Sequence, residues 1–536
     1  MKTVDARVVW LLAAAIVIGG AGCVGAQPKP PFHDIREYGA VGTDQEKDTG
    51  AVRKAVDAAA AAGGGTVYFP AGEYVTGPIH LKSNITLHLD AGAVLKFSQD
   101  FDDYLPMVKA RWEGTECNNF SPCIYAYRAE NITITGRGLI DGQGKAWWDE
   151  HRRIRAAVAK EGANAFTKWS KAFAEANPKA TLKERWESFG NFLRPPLMQP
   201  MECRNVRIEG ISIKDPPFWT INPVYCDNVT VTGISIKNPD ESPNTDGINP
   251  DSCRNVHISD CHISVGDDCI TIKSGRDADG RRVGRPCENI TVTNCTMLDG
   301  HGGVVIGSEM SGGVRKVTIS NCVFDRTDRG IRIKTTRGRG GVVEDIRVSN
   351  IVMTNIRRRP FDLNMFYERV PPEPVSERTP KLRNMHFSGV IVKGAPAAGF
   401  LLGLPEMPIE DITFADIHID ADAGLSCSEA KNIAFHDVRI NTKKGPALIG
   451  ENIAGLEIEG FETHAPHKDC AVVDLKNASD VFLHGCRAAA GTQVFLRLQG
   501  ENTRGILLQA NDLSRASSEF VTDESVPASA MMQVAR

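Results

Sequence analysis

One short template recurs along most of this 536-residue chain and constrains its fold more than any other feature. In most copies it begins with Asn or Asp, continues as a short run of alternating aliphatic and polar residues, and ends with Gly, Asn or Asp. The clearest copies read NITITGRG, NVRIEGIS, NVTVTGIS, NVHISDCH, NITVTNCT, KVTISNCV, DIRVSNIV, NMHFSGVI, DITFADIH and NIAFHDVR. Successive copies start roughly 20 to 40 residues apart, which is the spacing typical of solenoids.

A strand that recurs once per coil, with no long helix between copies, favours a right-handed parallel β-helix over a doubly wound α/β sheet. Each coil would stack on its neighbour at about 4.8 Å, so the aliphatic positions would form one continuous core. We therefore predict an all-β solenoid that forms a single domain over residues 27–536.

Some of the 14 cysteines also follow the repeat. Cys261, Cys295 and Cys322 share one template position, which predicts a stacked row of reduced, buried thiols. A metal site is the poorer alternative, because a second ligand pair at useful spacing is missing. Once Cys23 is removed with a leader, the number of cysteines is odd, so they cannot all pair internally. Cys117 and Cys123 are a candidate local disulfide.

The open ends of a solenoid need covers, since exposed strand edges would pair with other chains. The segment KDTGAVRKAVDAAAAAGGG has apolar residues at helical spacing, and three glycines end it. Asp48 or Thr49 is expected to cap its start. We predict a helix that covers the N-terminal end of the coil.

Two stretches interrupt the repeat. Residues from about 147 to 193 carry charged and apolar residues at helical spacing and predict a helical insertion. Residues from about 357 to 382 are rich in proline and charge and predict a charged loop. Insertions on a repeat scaffold commonly shape its binding face, although an inert surface excursion is an equally good interpretation of either one.

The N-terminus has the features of a secretory signal peptide. Basic residues Lys2 and Arg7 precede an apolar run that begins at Val8, and small residues follow up to Ala26. We predict a signal peptide over residues 1–26 and export to the periplasm or the medium, with a lipid anchor at Cys23 as the weaker alternative. No later segment is apolar for long enough to predict a membrane span.

Composition narrows the range of partners. The formal net charge of -4 provides no broad basic field, which makes nucleic acid a poor candidate. Hydrophobic residues at 42% and charged residues at 24% are typical of an ordinary water-soluble globular chain, and they argue against extended disorder. We expect the protein to be a monomer.

Three aspartates are spaced by about one coil. Asp246 lies in SPNTDG, and the pair Asp267 and Asp268 lies in GDDC, with an alternating hydrophobic run between the two motifs. If one coil takes roughly 20 to 35 residues, the three acids lie at a similar angular position on neighbouring coils. Residues that are distant in sequence would therefore be adjacent in space.

The same stripe continues on the next two coils. His301 lies one step further in GHGG, and Arg332 and Lys334 follow in GIRIK. Strand alternation places the two cations on one face, and it places Ile331 and Ile333 on the opposite face, towards the core. Four consecutive coils are therefore predicted to contribute one stripe of acids, a histidine and cations.

A row of carboxylates in a water-poor site is electrostatically unfavourable and raises the pKa of at least one of them. Glycoside hydrolysis uses this arrangement: one carboxylic acid protonates the leaving oxygen while a second carboxylate activates water. Inverting enzymes hold the two groups about 6.5 to 9.5 Å apart. Neighbouring coils at about 4.8 Å, together with side-chain splay, can provide that separation.

Four motifs, taken together, resemble those of the polygalacturonase-like pectin hydrolases of glycoside hydrolase family 28. They are NTDG from Asn244, GDDC from Gly266, GHGG from Gly300 and RIK from Arg332, in that order and at coil-sized spacing. The similarity extends over most of the chain, from DIREYGAVGTDQEKDT to the C-terminal coils. It implies a parallel β-helix that hydrolyses α-1,4-galacturonosyl bonds of galacturonan with inversion, without a metal or cofactor.

The resemblance also implies roles for individual residues. Asp267 resembles the general acid, Asp246 and Asp268 resemble the pair that holds and deprotonates the attacking water, and His301 would orient the acid. Asp-Gly and Asn-Thr-Asp sequences are also common at solenoid turns, where the side chains bond to the backbone. A purely structural role is therefore the alternative for Asp246, and a tight turn is the alternative for His301.

Substrate binding is implied for four further residues. Arg332 and Lys334 resemble a clamp for the sugar carboxylate, with a guanidinium suited to bidentate contact and an ammonium acting as a point charge; a solvated charged stripe is the alternative. Tyr367 lies where the family often has a tyrosine near the scissile bond. Asn244 would either bind substrate or support its own turn.

The insertions depart from a simple member of this family. An open groove does not require insertions of this length. If they block one end of the groove, the enzyme would release units from a chain end and would not cleave at random internal bonds. Arg357, Arg358 and Arg359, at the start of the predicted loop, would either add binding positions for anionic sugars or only keep the loop soluble.

Three other functions stay open on the sequence alone. The same fold could act on rhamnogalacturonan or xylogalacturonan, although His301 and the cations of RIK favour plain galacturonate. A pectate lyase would use the clustered aspartates to hold Ca²⁺ against an acidic sugar. A noncatalytic β-helix adhesin would use the acids only as turn residues.

Overall fold

The computed structural model describes residues 31–179 and 182–533 as a right-handed parallel β-helix, which confirms the predicted fold. Strands of successive coils pair in parallel and in register along most of the chain. The predicted signal peptide, residues 1–26, lies outside the described residues, and so does Cys23. Within the described part, no helix is both long and apolar enough to cross a membrane.

The coil has three faces. The first face carries the repeated template, on strands Phe32–Asp34, Gly65–Phe69, Ile85–Leu89, Glu130–Gly136, Arg204–Glu209, Asp227–Thr232, Arg254–Ser259, Cys287–Thr293, Ser479–His484, Arg504–Gln509 and Met531–Gln533. The second face contains Gly72–Thr76, Ala93–Phe97, Leu139–Asp141, Ser212–Lys214, Ser235–Lys237, His262–Ser264 and Thr296–Leu298. Longer strands span more than one face: Val314–Asp325, Val342–Thr354, Lys381–Lys393, Ile409–Ala421, Ala423–Thr442 and Leu448–Glu459.

The third face carries most of the predicted site. Its strands are Ile79–Leu81, Ile124–Tyr127, Met198–Met201, Asp268–Ile272, Gly302–Gly307, Arg329–Lys334, Arg359–Asn364, Ala397–Leu402, Ala471–Lys476, Val494–Gln499 and Ser518–Thr522. Isolated bridges at Ile221 and Ile248 continue this face between Met201 and Asp268. An antiparallel hairpin, Val108–Trp112 with Thr115–Asn119, lies outside the coil.

The helices are few among the described residues. They are α1 (Thr49–Ala61), α2 (Lys145–Glu161), α3 (Lys168–Ala176), α4 (Lys183–Ser188) and α5 (Asp277–Val283). Short 3-10 turns occur at Ile35–Tyr38, Phe101–Tyr104, Gly162–Ala165 and Ala528–Ala530.

The first residue of the repeated template has a left-handed backbone conformation, and this explains which residue types recur there. In the ten copies quoted above, this residue has a positive φ between 50° and 59°. Asn and Asp tolerate this conformation better than most residues with a side chain, which accounts for their recurrence. The asparagines also stack: the Nδ2 atoms of Asn205 and Asn228 each donate at 2.8 Å to Oδ1 of the asparagine one coil before, Asn131 and Asn205 respectively.

Most of the described cysteines lie inside the coil. Every cysteine of the described residues is a free thiol. Cys261, Cys295 and Cys322 are each at most 1% exposed and share one column of the core, which confirms the predicted row of buried thiols. The candidate disulfide between Cys117 and Cys123 is wrong, because Cys117 packs in a small cluster under the hairpin while Cys123 packs in the main core.

The helix α1 covers the N-terminal end of the coil, as predicted, with Val52 and Val56 buried against the first strands. Asp48 is the N-cap residue of α1, as predicted, but its side chain makes no capping hydrogen bond. Oδ1 of Asp48 instead accepts a hydrogen bond from the Val41 amide, and Oγ1 of Thr49 accepts one from the Gly77 amide, both at 2.8 Å. These side chains therefore tie the helix to neighbouring loops.

The helices α2, α3 and α4 form the predicted helical insertion. Phe173 of α3 and Trp186 of α4 pack with Trp112 of the hairpin and with Trp219 in a small apolar cluster, separate from the main core. Burial of these large aromatic side chains fixes both the insertion and the hairpin against one part of the third face.

The predicted charged loop over about 357–382 is partly wrong. Arg359–Asn364 is a strand of the third face, and Lys381 begins the next long strand. Within RPFDLN, Phe361 and Leu363 are fully buried and alternate with polar residues, so the strand pattern outweighs the local charge. The loop proper lies between residues 365 and 380.

The left-handed turn can be tested at the exposed residue Asn228. Asn228→Ala should lower the free energy of unfolding by roughly 1 to 2 kcal/mol relative to Asn228→Gly, because alanine retains a Cβ in the left-handed region and glycine does not. Both variants lose the same stacked hydrogen bond. The difference between their free energies of unfolding therefore reports only the cost of the left-handed backbone conformation. Urea unfolding midpoints measure it, and equal midpoints for the two variants would contradict the account.

Candidate active site

The parallel register brings the predicted site residues onto neighbouring coils. The Gly247 amide donates to the carbonyl of Asp268 at 3.0 Å, and the His301 amide donates to the carbonyl of Asp267 at 2.8 Å. All eight predicted residues line one cavity of about 340 Å³: Asn244, Asp246, Asp267, Asp268, His301, Arg332, Lys334 and Tyr367.

Asp267 and Asp268 are adjacent in sequence, yet both line the cavity. The strand begins at Asp268, and Asp267 lies in the bend before it. The rule that successive side chains of a strand point to opposite faces therefore does not apply to this pair. Oδ1 of Asp267 accepts a hydrogen bond from the Asp268 amide at 2.9 Å. The next coil passes close by at Gly300, where a Cβ would lie 2.6 Å from the carbonyl oxygen of Asp267.

The three carboxylates form a compact trio. One oxygen from each of Asp246, Asp267 and Asp268 lies within 4.8 Å of the others. These nearest oxygens are closer than the separation of about 6.5 to 9.5 Å expected for an inverting pair. The side chain of Asp267 is 17% exposed, whereas those of Asp246 and Asp268 are 4% and 1% exposed. Asp267 is therefore the carboxylate most open to the cavity.

Two cations on the strand Arg329–Lys334, two coils further along, neutralise Asp268. Nζ of Lys334 lies 2.7 Å from Oδ2 of Asp268, and Nη1 of Arg332 lies 3.5 Å from Oδ1. Burial alone would raise the pKa of Asp268, but Lys334 and Arg332 outweigh burial and lower this pKa to about 2. Asp268 is therefore ionised throughout the neutral range.

Asp246 has the opposite environment. Burial, followed by the negative charge of Asp267, raises the pKa of Asp246 well above its ordinary value, although Lys273 opposes the shift. Nδ2 of Asn249 donates to Oδ2 of Asp246 at 3.1 Å, and Nζ of Lys273 lies 3.9 Å from the same oxygen. The surroundings of Asp246 therefore favour its protonated form more than those of Asp268 do.

His301 holds the exposed member of the trio. Its Nδ1 lies 3.1 Å from Oδ1 of Asp267. This hydrogen bond raises the pKa of His301, although burial opposes the shift. Among the described residues, hydrogen bonds reach Oδ1 of Asp267 but not Oδ2. The Oδ2 atom of Asp267 is thus left for a ligand in the cavity.

Tyr367 lies beside the two cations. Cζ of Arg332 is 5.6 Å from the centre of the Tyr367 ring, and Nζ of Lys334 is 5.3 Å from it. The tyrosine is 42% exposed. The ring and the cations form a wall that can contact both the face of a sugar and its carboxylate.

Sequence reasoning missed Lys273 and Glu309, which also line the cavity. Nζ of Lys273 lies 2.9 Å from Oε2 of Glu309 and 4.5 Å from the centre of the Trp219 ring. The sequence does contain a signal for Lys273. It ends the run ITIK in the same way that Lys334 ends the run IRIK, and the two lysines occupy the same strand position two coils apart. Glu309 follows the strand between them and has no such repeat signal.

The third face is covered on the N-terminal side of the trio. Gln199, Asn222 and Asn249, which succeed one another on three coils, are fully buried. Nε2 of Gln199 donates to the Arg111 carbonyl of the hairpin at 2.9 Å and to Oδ1 of Asn222 at 2.7 Å. Nη1 of Arg111 in turn donates to Oδ1 of Asp251 at 2.8 Å. The hairpin therefore closes the groove at this end.

The rim at the closed end contains charged residues that the sequence did not predict. Glu113, at the hairpin tip, forms an ion pair with Arg185 of α4, and Nη1 of Arg276 lies 3.5 Å from the same carboxylate. Asn244 has φ of 56°, and its Oδ1 accepts a hydrogen bond from Nη2 of Arg194 at 2.8 Å. The turn that contains Asn244 is thus fixed from outside the repeat.

The trio could in principle ligate a divalent cation, since its oxygens lie close together. Ca²⁺ takes six to eight oxygen ligands, but ammonium groups of Lys334 and Lys273 already lie within 4 Å of Asp268 and Asp246. These fixed positive charges repel a metal ion and offset the carboxylates themselves. The donor set fits acid–base chemistry better than metal binding.

Comparison with known proteins agrees with this geometry. Residues 184–443 match the family described as Glycosyl hydrolases family 28, and residues 32–154 match that described as Rhamnogalacturonase A/epimerase, pectate lyase-like. A probable polygalacturonase of Vitis vinifera is 30% identical over 413 residues, covering 74% of this chain and 77% of that protein.

Solved structures show the same similarity. A hyperthermoactive exopolygalacturonase from Thermotoga maritima is 33% identical, covers 78% of this chain and 93% of its own, and superposes with a TM-score of 0.68. A family 28 exopolygalacturonase of Yersinia enterocolitica, 23% identical over 80% of this chain and 78% of its own, shares the fold with a TM-score of 0.67. From these identities and the four ordered motifs within the matched segment, the chain belongs to glycoside hydrolase family 28.

Proposed function

We propose that this protein is an exported polygalacturonase that hydrolyses α-1,4-galacturonosyl bonds of unesterified galacturonan from a chain end. The observation that carries the proposal is the cavity in which three carboxylates face the cations Arg332 and Lys334. A uronic acid supplies the carboxylate that these cations would bind. Similarity to polygalacturonases, including an exopolygalacturonase, supports the same substrate.

Asp267 is the general acid in this mechanism. It is the most exposed carboxylate of the trio, and His301 holds its Oδ1 atom at 3.1 Å. Protonated at Oδ2, Asp267 donates its proton to the glycosidic oxygen as the bond to the anomeric carbon breaks. The leaving sugar thus departs as a neutral alcohol.

Asp246 and Asp268 position and deprotonate the attacking water. Asp268 is ionised and fixed by Lys334, so it orients the water, while Asp246 has the higher proton affinity and takes the water's proton. Exchange with water in the cavity then removes that proton from Asp246 and reprotonates Asp267. One turnover therefore leaves the protonation of the trio unchanged.

Burial of the two bases favours inversion. The side chain of Asp268 is 1% exposed and that of Asp246 is 4% exposed, so access to them is more restricted for a sugar carbon than for a water molecule. We infer that neither carboxylate forms a covalent glycosyl intermediate. Inversion is thus inferred from the restricted access to these two carboxylates. The separation of the nearest oxygens, within 4.8 Å, does not itself favour inversion.

Closure of the groove favours cleavage at a chain end. The amides of Gln199, Asn222 and Asn249 are buried beneath the hairpin, and the Glu113–Arg185 pair forms the rim at the same end. A polymer cannot continue across this part of the third face. The terminal sugar would occupy the closed end, and the rest of the chain would extend towards the C-terminal coils.

We further propose that the mature chain begins after residue 26, acts as a monomer, and needs neither metal nor cofactor. Rhamnogalacturonan or xylogalacturonan is the second candidate substrate, and the match of residues 32–154 to a rhamnogalacturonase description favours it. That segment contributes Glu113 to the rim of the cavity but none of the three aspartates, His301, Arg332 or Lys334. Galacturonan is therefore preferred.

Product analysis on unesterified polygalacturonan tests the reaction and the direction of attack. We expect galacturonate or its dimer from the outset, with no larger oligomers and no loss of rate in EDTA, because the groove is closed and no metal takes part. Chromatography and ultraviolet absorbance of unsaturated ends measure this. A spread of oligomers would contradict chain-end cleavage, chelator-sensitive unsaturated products would indicate a lyase, and the absence of products would contradict galacturonan as substrate.

Asp267→Asn tests the acid. The amide cannot protonate the leaving oxygen, so kcat should fall roughly 10²- to 10⁴-fold while the circular dichroism spectrum stays that of the wild type. Asp240→Asn is the matched control, because Asp240 is 59% exposed and does not line the cavity. Near-normal turnover of a folded Asp267→Asn variant would remove Asp267 from this role.

The Asp267–His301 contact predicts a pH dependence. The pKa of folded His301 should exceed 6.5, and Asp267→Asn should lower it, because the hydrogen bond that raises it is lost and burial remains. The pKa of His301 is higher in the folded protein than in the unfolded chain. The contact therefore makes its full contribution to stability below pH 6.5, and this contribution disappears as the pH rises through the pKa of folded His301. Histidine NMR titration, assigned with His301→Gln, measures the pKa; no change in the Asp267→Asn variant would contradict the pairing.

A further inference from the structure

Three consecutive arginines at the C-terminal side of the cavity have different surroundings. Nη2 of Arg357 lies 2.8 Å from Oδ1 of Asp299, outside the cavity. Arg359 pairs with Asp362 at 3.0 Å and stacks on a phenylalanine, with its Cζ 4.3 Å from the Phe400 ring centre.

Arg358 alone of these three lines the catalytic cavity. Its side chain is 61% exposed, and its Nε lies 3.4 Å from Oδ2 of Asp328. A hydrogen bond at that distance is weak, so the guanidinium keeps most of its donors for another partner. This exposure and this single contact distinguish Arg358 from both neighbours in sequence.

Arg329 lies beneath Arg358 and shares its carboxylate. Nη1 of Arg329 lies 3.9 Å from Oδ2 of Asp328, and its Nε donates to Oδ2 of Asp362 at 3.0 Å. Asp328 and Asp362 together thus face the three guanidiniums of Arg329, Arg358 and Arg359. One positive charge of this group is left without a matching carboxylate.

The surplus charge lies one coil beyond the carboxylate clamp. Arg332 and Lys334 belong to strand Arg329–Lys334, and Arg358 immediately precedes the next strand, Arg359–Asn364, which pairs with it in parallel. Coils of a β-helix are about 4.8 Å apart, a step comparable to one sugar ring. This step leads away from the closed end, in the direction in which the polymer must extend.

We propose that Arg358, supported by Arg329, binds the carboxylate of the sugar that follows the one held by Arg332 and Lys334. This inference rests on the proposed galacturonan substrate and adds a further binding position to it. The position selects for an unesterified acid at that sugar, because a methyl ester has no charge for the guanidinium to bind. It also makes a longer oligomer a better substrate than a shorter one that ends at the clamp.

A length series of unesterified oligogalacturonates tests the proposal. For the wild type, kcat/KM should rise between the shortest oligomer that is cleaved and the oligomer one sugar longer. Arg358→Ala should reduce that ratio roughly tenfold, through KM, because one charge-assisted hydrogen bond is lost. Arg358→Lys should restore part of the ratio that Arg358→Ala loses, and high salt should reduce the ratio in the wild type.

Arg357→Ala is the matched control, since it removes a neighbouring guanidinium that does not line the cavity. Its length ratio should equal that of the wild type. An unchanged ratio in Arg358→Ala, or an equal reduction in Arg357→Ala, would overturn the inference while leaving galacturonan hydrolysis intact. A wild type that cleaves no oligogalacturonate would instead overturn the proposed function and this inference with it.

Discussion

The left-handed residue that opens each coil is the constraint on which the rest of the structure depends. A residue such as Asn205 turns the chain sharply and returns the next strand to the same angular position, one coil further along. Strands of the third face then stack at about 4.8 Å in register. Asp267 and His301, which are 34 residues apart in sequence, become hydrogen-bonded neighbours. A local backbone conformation thus determines which distant side chains can react together.

The same register assembles charges that would repel one another elsewhere. Three carboxylates are tolerated within one cavity because Lys273, on the coil of Asp267 and Asp268, and Lys334, two coils further along, offset their charge. Asp268 is held ionised by Lys334, while Asp246 is buried and retains affinity for a proton. Asp267, bound by an imidazole, is the member of the trio most open to the cavity. The different surroundings of Asp246 and Asp268 push their pKa values in opposite directions, and on this difference the proposed division of roles depends.

The repeat explains why so much was predictable from sequence. A fixed period converts sequence separation into angular position, so the β-helix, the α1 cover and the stripe of acids and cations could be anticipated. The closed end could not, because the hairpin, Glu113 and Arg185 come from segments without a period. Strand Arg359–Asn364 was misassigned because its local charge concealed the alternation of its buried residues. Lys273 carried a periodic signal that was overlooked.

The measurement that tests the central claim most directly is the configuration of the newly formed anomeric carbon, followed by proton NMR during the first moments of galacturonan cleavage. If water, oriented by Asp268 and deprotonated by Asp246, attacks opposite to Asp267 as proposed, the first product is the β-anomer, inverted from the α-linkage. An α-anomer as first product would contradict this account, because it would require a carboxylate to attack the sugar directly.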